Sequence, residues 1–187
     1  VAAQVFGVAP EKVDKEMRRR AKVINFGILY GMGVNSLKSA LGTDRADAQK
    51  FYNDYFSTFS GIANYLNETK ASATRKGYTE TYFGRRRYFE GLKSKLPFIK
   101  AAAERTAINA PVQGTSADII KIAMARVDEY LRKEKYEKDA YLLLQIHDEL
   151  IYEIKEELID KIAPEIQKIM QEVIPPKDIY GVKLTTS

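Results

Sequence analysis

Four side chains at intervals of four residues could together bind a phosphorylated ligand with a planar base: Arg18, Lys22, Phe26 and Tyr30. On an α-helix this spacing puts them on one face over roughly 18 Å. Arg18 offers a forked donor and Lys22 a point charge to phosphates, and the two rings can pack on a sugar or base. This first series predicts a nucleotide-binding face. An ordinary amphipathic helix with two aromatic residues in the core has the same spacing.

A second candidate is the pair formed by His147, the only histidine, and Asp148. Apolar runs rich in β-formers flank it at 141–146 and 150–154. The pattern predicts a β-hairpin with its turn at this pair. A carboxylate at a rigid turn can ligate Mg²⁺, which prefers oxygen ligands. Turn acids without a ligand are commoner, so the pair alone leaves both interpretations open.

Two further groups carry donors suited to a polyanion. A second series repeats the four-residue step with Arg105, Asn109 and Gln113. Three consecutive cations, Arg85, Arg86 and Arg87, follow Gly84. Both patterns suit phosphate, sugar or minor-groove acceptors, and both also occur on ordinary solvated surfaces.

The elements that must position these groups are mostly helical. Periodicity and breakers predict helices over about 11–30, 36–41, 43–76, 97–133 and 156–173, with hairpins over about 78–89 and 141–154. Thr43 is expected to cap the third helix, and Ser60-Gly61 to interrupt it. Pro111 is expected to kink or divide the fourth helix, and Thr115 to form a capping box with Asp118. Gly27 and Gly31 are expected to thin the first long helix so that a ligand can approach. The fold class is therefore α+β and rich in helix.

The composition of the chain favours some classes of protein and excludes others. The chain has 187 residues, a formal charge of +5 and a pI near 9.2, which favours a polyanionic partner. It has no cysteine, which excludes a disulfide framework, a zinc knuckle and a thiol nucleophile. No apolar run is long enough to span a membrane, and no secretory signal opens the chain. We expect a cytoplasmic, nucleoid-associated monomer.

Four segments carry a resemblance to family A DNA polymerases, the bacterial DNA polymerase I type. Residues 18–31 read RRRAKVINFGILYG and resemble the family's fingers motif, and residues 82–88 read YFGRRRY. Residues 104–118 read ERTAINAPVQGTSAD and resemble its primer-template contact segment. Residues 144–150 read LQIHDEL and resemble its palm motif. Residues 90–98 match the family less well.

The resemblance implies roles for individual residues. Arg18, Lys22, Phe26 and Tyr30 would bind the incoming dNTP, and Lys22 would also protonate the departing pyrophosphate. Asp148 would be a catalytic metal ligand, with Glu149 beside the metals. Contacts to DNA would come from Tyr30, Arg85, Arg86, Arg87, Arg105, Asn109, Gln113 and His147. The cofactor would be Mg²⁺, with two ions in the complete enzyme.

The resemblance also implies the organisation of the chain. Residues 1–112 would be a fingers subdomain, and residues 113–187 part of a palm built on an antiparallel hairpin. The family's second catalytic aspartate lies on an upstream palm strand, and we find no match to it here. We therefore expect missing partners, namely that strand and the thumb, besides primer-template DNA and dNTP. The fragment alone is expected to be inactive.

Two other interpretations remain at this stage. One is a fragment of a phage-type single-subunit RNA polymerase, which shares a similar helix and a His-Asp turn but lacks the Asn-Phe-Gly string. The other is a non-catalytic helical DNA-binding module, which would bind duplex with steep salt dependence. Such a module has no obvious use for Phe26.

Overall fold

The computed structural model describes residues 2–186 and has an α+β fold dominated by helices. The helices are α1 (Ala2–Phe6), α2 (Lys15–Leu29), α3 (Val34–Leu41), α4 (Arg45–Thr58), α5 (Ser60–Lys76), α6 (Pro97–Lys133) and α7 (Ile159–Gln171). The strands are β1 (Tyr78–Glu80), β2 (Arg86–Tyr88), β3 (Ala140–Ile146) and β4 (Glu149–Ile154). They form two antiparallel hairpins, β1–β2 and β3–β4. The predicted fold class is confirmed.

The chain divides into two compact units. The first comprises the residues up to Glu80 and Gly84–Pro111, and the second Thr81–Phe83 and the residues from Val112 onward. Helix α6 contributes to both. The assignment of residues 1–112 to fingers and 113–187 to palm stays a prediction.

Helix α2 begins later than its apolar periodicity predicts. The chain first makes a 3₁₀ turn at Pro10–Lys12. The Asp14 carboxylate then accepts a hydrogen bond from the Met17 backbone N–H at 2.7 Å. This N-cap satisfies one of the donors that the first turn leaves unpaired, so the helix starts at Lys15 instead of near Glu11.

Helix α2 is held in the first unit by its buried face. Ala21, Ile24 and Ile28 are buried, and the two isoleucines share a core cluster with Leu37 of α3 and Tyr55 of α4. Their spacing of three and four residues is that of one helix face, which leaves the opposite face of α2 to solvent.

The predicted cap at Thr43 is wrong. Asp44 is the N-cap of α4, and its carboxylate accepts from the Asp47 backbone N–H at 2.9 Å. The Thr43 hydroxyl donates instead to the Asp47 side chain at 3.0 Å. The predicted interruption near Ser60 is confirmed, because α4 ends at Thr58 and α5 starts at Ser60.

Helix α6 runs through Pro111 without being divided. The capping box predicted for Thr115 and Asp118 is wrong, because both residues lie inside this helix. Proline removes one backbone donor, but buried residues on both sides, including Ala107 and Val127, hold the helix. Thr115 lies inside α6, where its hydroxyl accepts a hydrogen bond from the Tyr82 backbone N–H at 2.9 Å. Asp118 is a buried residue of the helix interior.

The core of the second unit lies between its hairpin and its helices. Val127 and Leu131 of α6, Ala140 of β3, and Ile162 and Ile166 of α7 form one buried cluster. Tyr152 and Ile154 of β4 pack against that cluster.

Strand β3 is much more exposed than β4. After Ala140 every residue of β3 is exposed, including the leucines at 142, 143 and 144. The register shifts between Leu142 and Leu144, which makes Leu143 a bulge. Within the part of the chain that the structure describes, β3 pairs with β4 alone.

Residues 2–186 contain no helix that is both long enough and apolar enough to cross a membrane.

Candidate active site

The first series lies on the exposed face of α2. Phe26 is 42% exposed and Tyr30 is 38% exposed, and Arg18 and Lys22 are exposed as well. The rings of Phe26 and Tyr30 are stacked, with centroids 6.0 Å apart and an interplanar angle of 23°. The Lys22 ammonium lies over the Phe26 ring, 6.0 Å from its centroid. The series therefore forms a continuous surface of cations followed by rings and does not belong to the core.

The backbone conformation and packing at the end of α2 account for the glycine at position 31. Gly31 has φ +85° and ends α2 in a Schellman motif, in which Met32 N–H donates to Gly27 O at 2.7 Å and Gly31 N–H to Ile28 O at 3.0 Å. A Cβ on Gly31 would lie 2.9 Å from Arg105 Cγ, and one on Gly27 would overlap the end of the Met32 side chain. The expectation that these glycines let a ligand approach the helix stays a prediction.

Two residues of the second series contact the end of α2. Arg105 packs against Gly31. The Asn109 amide donates a hydrogen bond to the Tyr30 main-chain carbonyl at 3.3 Å. Tyr30 is the C-cap of α2, so its carbonyl has no acceptor role within the helix. The Oδ1 atom of Asn109 is buried and has no hydrogen-bond partner among the described residues. Sequence spacing gave no signal for this contact. Gln113 is an exposed residue of the second unit.

The three arginines lie on the hairpin β1–β2 or just before its second strand. Arg86 faces Glu80 in the register and donates to its carboxylate at 2.7 Å, which raises the pKa of Arg86 above its ordinary value. Arg86 also lies 4.7 Å from the centre of the Tyr78 ring, and Arg87 lies 5.5 Å from that of Phe89. All three arginines are exposed. Arg86 and Arg87 thus have structural contacts in addition to any role with DNA.

The turn between β3 and β4 consists of His147 and Asp148 alone, because Ile146 pairs directly with Glu149. His147 has φ +54°, in the left-handed region, and the Gln145 amide donates to its carbonyl at 2.9 Å. A non-glycine residue in this region stores strain of order 1–2 kcal/mol, and such residues cluster at functional sites. Asp148 and Glu149 are consecutive exposed residues at this turn.

The donor set at the turn fits part of a magnesium site. Two adjacent carboxylates supply the oxygen ligands that Mg²⁺ prefers. Yet residues 2–186 contain no group of three or more histidine, cysteine or acidic side chains placed to hold a metal ion. The described residues thus do not by themselves form a metal site with three such ligands.

Comparison with known proteins decides the family. The model of DNA polymerase family A matches residues 1–185. The chain belongs to DNA polymerase family A. Within curated members of this family, it is 45% identical over 169 residues to DNA polymerase I of Pseudomonas aeruginosa, covering 90% of this chain and 18% of that protein. It is 42% identical over 174 residues to the thermostable DNA polymerase I of Thermus aquaticus, covering 93% and 20%.

A solved structure supports the family assignment. The POL domain of Pol1 from M. smegmatis, in complex with DNA primer-template and dNTP, superposes with a TM-score of 0.87 at 36% identity. The match covers 93% of this chain and 30% of that one. The family A chain described here spans about a fifth of the length of the curated relatives it matches.

Proposed function

We propose that this chain provides the nucleotide-binding helix and part of the metal site of a DNA-directed DNA polymerase. The complete enzyme would transfer a nucleotidyl group from a dNTP to a primer 3′-hydroxyl. The observation that carries the proposal is the exposed face of α2, where Lys22 lies over Phe26 and Phe26 stacks with Tyr30, in a chain of family A. The primer-template DNA and dNTP in the related M. smegmatis complex support the same partners for this chain.

Each group in the first series has a chemical task in this proposal. Arg18 would bind a terminal phosphate with its planar fork, and Lys22 would hold charge nearer the α-phosphate and protonate the leaving pyrophosphate. Phe26 would pack on the sugar and base of the dNTP. Tyr30 would occupy the template position until the next base displaces it. The further DNA contacts would come from Arg85, Arg86, Arg87, Arg105, Asn109, Gln113 and His147.

Asp148, with Glu149 beside it, would hold Mg²⁺ at the turn. Two such ions roughly 3.5–4 Å apart activate the attacking oxygen and stabilise the leaving one when bound. The second aspartate would come from a palm strand outside these 187 residues. In residues 2–186, the exposed leucines of β3 and its pairing with β4 alone support the view that a neighbouring strand is missing here. We therefore propose that the fragment alone is inactive, and that the complete polymerase works as a monomer in the cytoplasm, associated with the nucleoid.

The first experiment measures binding of a fluorescent dNTP to residues 1–187 in the presence of Mg²⁺. We expect Arg18→Ala to weaken binding roughly ten- to hundredfold, the loss of one charge-assisted contact. The matched control is Arg19→Ala on the same helix, since Arg19 pairs with Glu16 at 2.6 Å. Equal effects of the two variants, or no nucleotide binding by the unaltered chain, would contradict the proposal.

The second experiment is primer extension by the purified chain. We expect no extension. Extension that Asp148→Asn removes would disprove the inactivity of the fragment and leave the assignment as a polymerase intact.

A further inference from the structure

Three large apolar side chains stand in solvent around the start of α6. Tyr88 is 67% exposed, Leu96 is 51% exposed and Phe98 is 71% exposed. We call these three residues the Tyr88–Phe98 surface. Exposed apolar side chains that occur in a group often mark a binding surface. None of the three has a role in the nucleotide or metal site proposed above.

The backbone beneath the Tyr88–Phe98 surface is fixed by packing. Tyr88 ends β2 and pairs with Tyr78, and their ring centroids are 5.3 Å apart. The next residue, Phe89, is buried in a cluster with Ala107 of α6. Tyr88 is therefore an exposed ring on a rigid base.

The turn after Tyr88 lies directly on the first turns of α6. A Cβ on Gly91 would be 3.0 Å from Ala103 Cβ and 3.3 Å from Ile99 Cγ2. Phe98 directly precedes Ile99, so Tyr88 and Phe98 flank the same contact. The backbone that carries Tyr88 and Phe98 is therefore packed in place, which lowers the entropy cost of ordering this segment on binding.

The charge around the surface indicates the kind of partner. Residues 85–105 contain seven basic and two acidic side chains, and Arg85, Arg86 and Arg87 directly precede Tyr88. Exposed aromatic rings interleaved with cations suit single-stranded nucleic acid, whose bases stack on rings while its phosphates meet cations. A duplex hides the faces of its bases, and an apolar protein segment would not need this excess of positive charge.

We propose that Tyr88 and Phe98 stack unpaired bases of a single-stranded nucleic acid whose backbone follows the neighbouring arginines. This inference rests on the proposed polymerase function and extends it to the unpaired template beyond the primer end. It gives a task to Phe98, which lies in residues 90–98 where the resemblance to the family is weaker, and to Tyr88, which ends the segment 82–88.

The experiment uses residues 1–187 and a fluorescein-labelled oligothymidylate of roughly a dozen nucleotides, within the usual site size of single-strand grooves. Anisotropy gives the affinity across a range of salt concentrations. We expect Tyr88→Ala and Phe98→Ala each to weaken binding about five- to hundredfold, with no change in the slope of log K against log salt. Arg87→Ala is expected to reduce that slope by about 0.7.

The conservative variants Tyr88→Phe and Phe98→Tyr are the matched controls. They keep a ring at each position and should bind like the unaltered chain. A blunt duplex of the same length should respond to Arg87→Ala and not to the loss of either ring.

The proposal is overturned if folded Tyr88→Ala and Phe98→Ala chains bind the oligonucleotide like the unaltered chain, or if ring loss weakens duplex binding equally. The first result would leave an apolar protein segment as the partner of the surface, and the second would make it a general contact to DNA. The dNTP comparison of Arg18→Ala with Arg19→Ala does not involve these rings. If the dNTP experiment fails while binding of the oligonucleotide still depends on the two rings, the proposed polymerase function is contradicted and the proposal for the Tyr88–Phe98 surface is not.

Discussion

The side-chain amide of Asn109, on α6, donates a hydrogen bond to the main-chain carbonyl of Tyr30, the residue that ends α2. The two residues are 79 positions apart in the sequence. Asn109 was predicted as a DNA contact from a resemblance. Its contact in the structure gives it a second task, which is to hold the end of the helix that carries the first series.

Replacing Asn109 should loosen the end of α2. Asn109→Ala removes the donor to the Tyr30 carbonyl, and we expect a loss of about 1 kcal/mol in the free energy of unfolding. Hydrogen exchange at the Gly31 and Met32 amides should accelerate. Urea unfolding and exchange measured by NMR check both effects. Asn67→Ala, at an exposed position of α5, is the control, and equal effects of the two variants would refute this role.

Alanine at two glycines should change stability in opposite directions. Gly31→Ala places a Cβ at φ +85°, 2.9 Å from Arg105 Cγ, and should cost about 1–2 kcal/mol. Gly61→Ala lies inside α5 with nothing within 4 Å of the new atom, and should raise stability by up to about 1 kcal/mol. Urea unfolding of both variants measures the difference. Similar values for the two would show that the Schellman motif is not as described.

Removal of the N-cap of α2 should destabilise the end that carries Arg18. Asp14→Ala loses the hydrogen bond to the Met17 amide and should cost about 1 kcal/mol. Asp14→Ser keeps a capping oxygen and should cost a small fraction of that amount. Thermal unfolding followed by circular dichroism compares the two, and an uncapped variant as stable as Asp14→Ser would contradict the prediction.

Stability should decline in strong alkali because of Tyr152. Burial, with a smaller contribution from the charge of Asp128, raises the pKa of Tyr152 to about 12. The unfolded chain releases this proton near pH 10. The stabilisation is therefore complete below pH 10 and is lost as the pH rises from about 10 to about 12. Because the side chain is half-buried, we expect a contribution of about 1 kcal/mol.

Tyr152→Phe should flatten this part of the pH profile, which urea unfolding across the range measures. Tyr141→Phe, at an exposed position of the neighbouring strand, is the control. An unchanged decline in the Tyr152→Phe chain would show that other groups cause it.

The α2 region shows how far sequence reasoning extends. The buried stripe of Ala21, Ile24 and Ile28 and the exposed series opposite follow from period 3.6 and from residue type. The cap at Asp14 was within reach of the same reasoning, because aspartate precedes the helix. The contact of Asn109 with Tyr30 was not, since it joins distant segments and leaves no local pattern.

In helix α6, local sequence signals predicted a break and a new helix start that the structure does not have. Pro111 and the string from Thr115 to Asp118 are strong local signals for a break and a new start. Burial of apolar residues on both sides outweighs them, and the Thr115 hydroxyl bonds to Tyr82 instead of capping a helix. Tertiary packing, which a single sequence does not display, decides such positions. The hairpin around His147, by contrast, follows from the two apolar runs rich in β-formers that flank it.

Strand β3 has a consequence for anyone who produces these 187 residues by themselves. Among the residues that the structure describes, β3 pairs with one strand and carries a row of exposed leucines, so its other edge offers amide and carbonyl groups to a strand of another molecule. We expect the isolated polypeptide to self-associate edge to edge as its concentration rises, and a lysine in place of Leu143 to keep it monodisperse. Light scattering of the two preparations would measure whether this exposed edge limits work on the fragment.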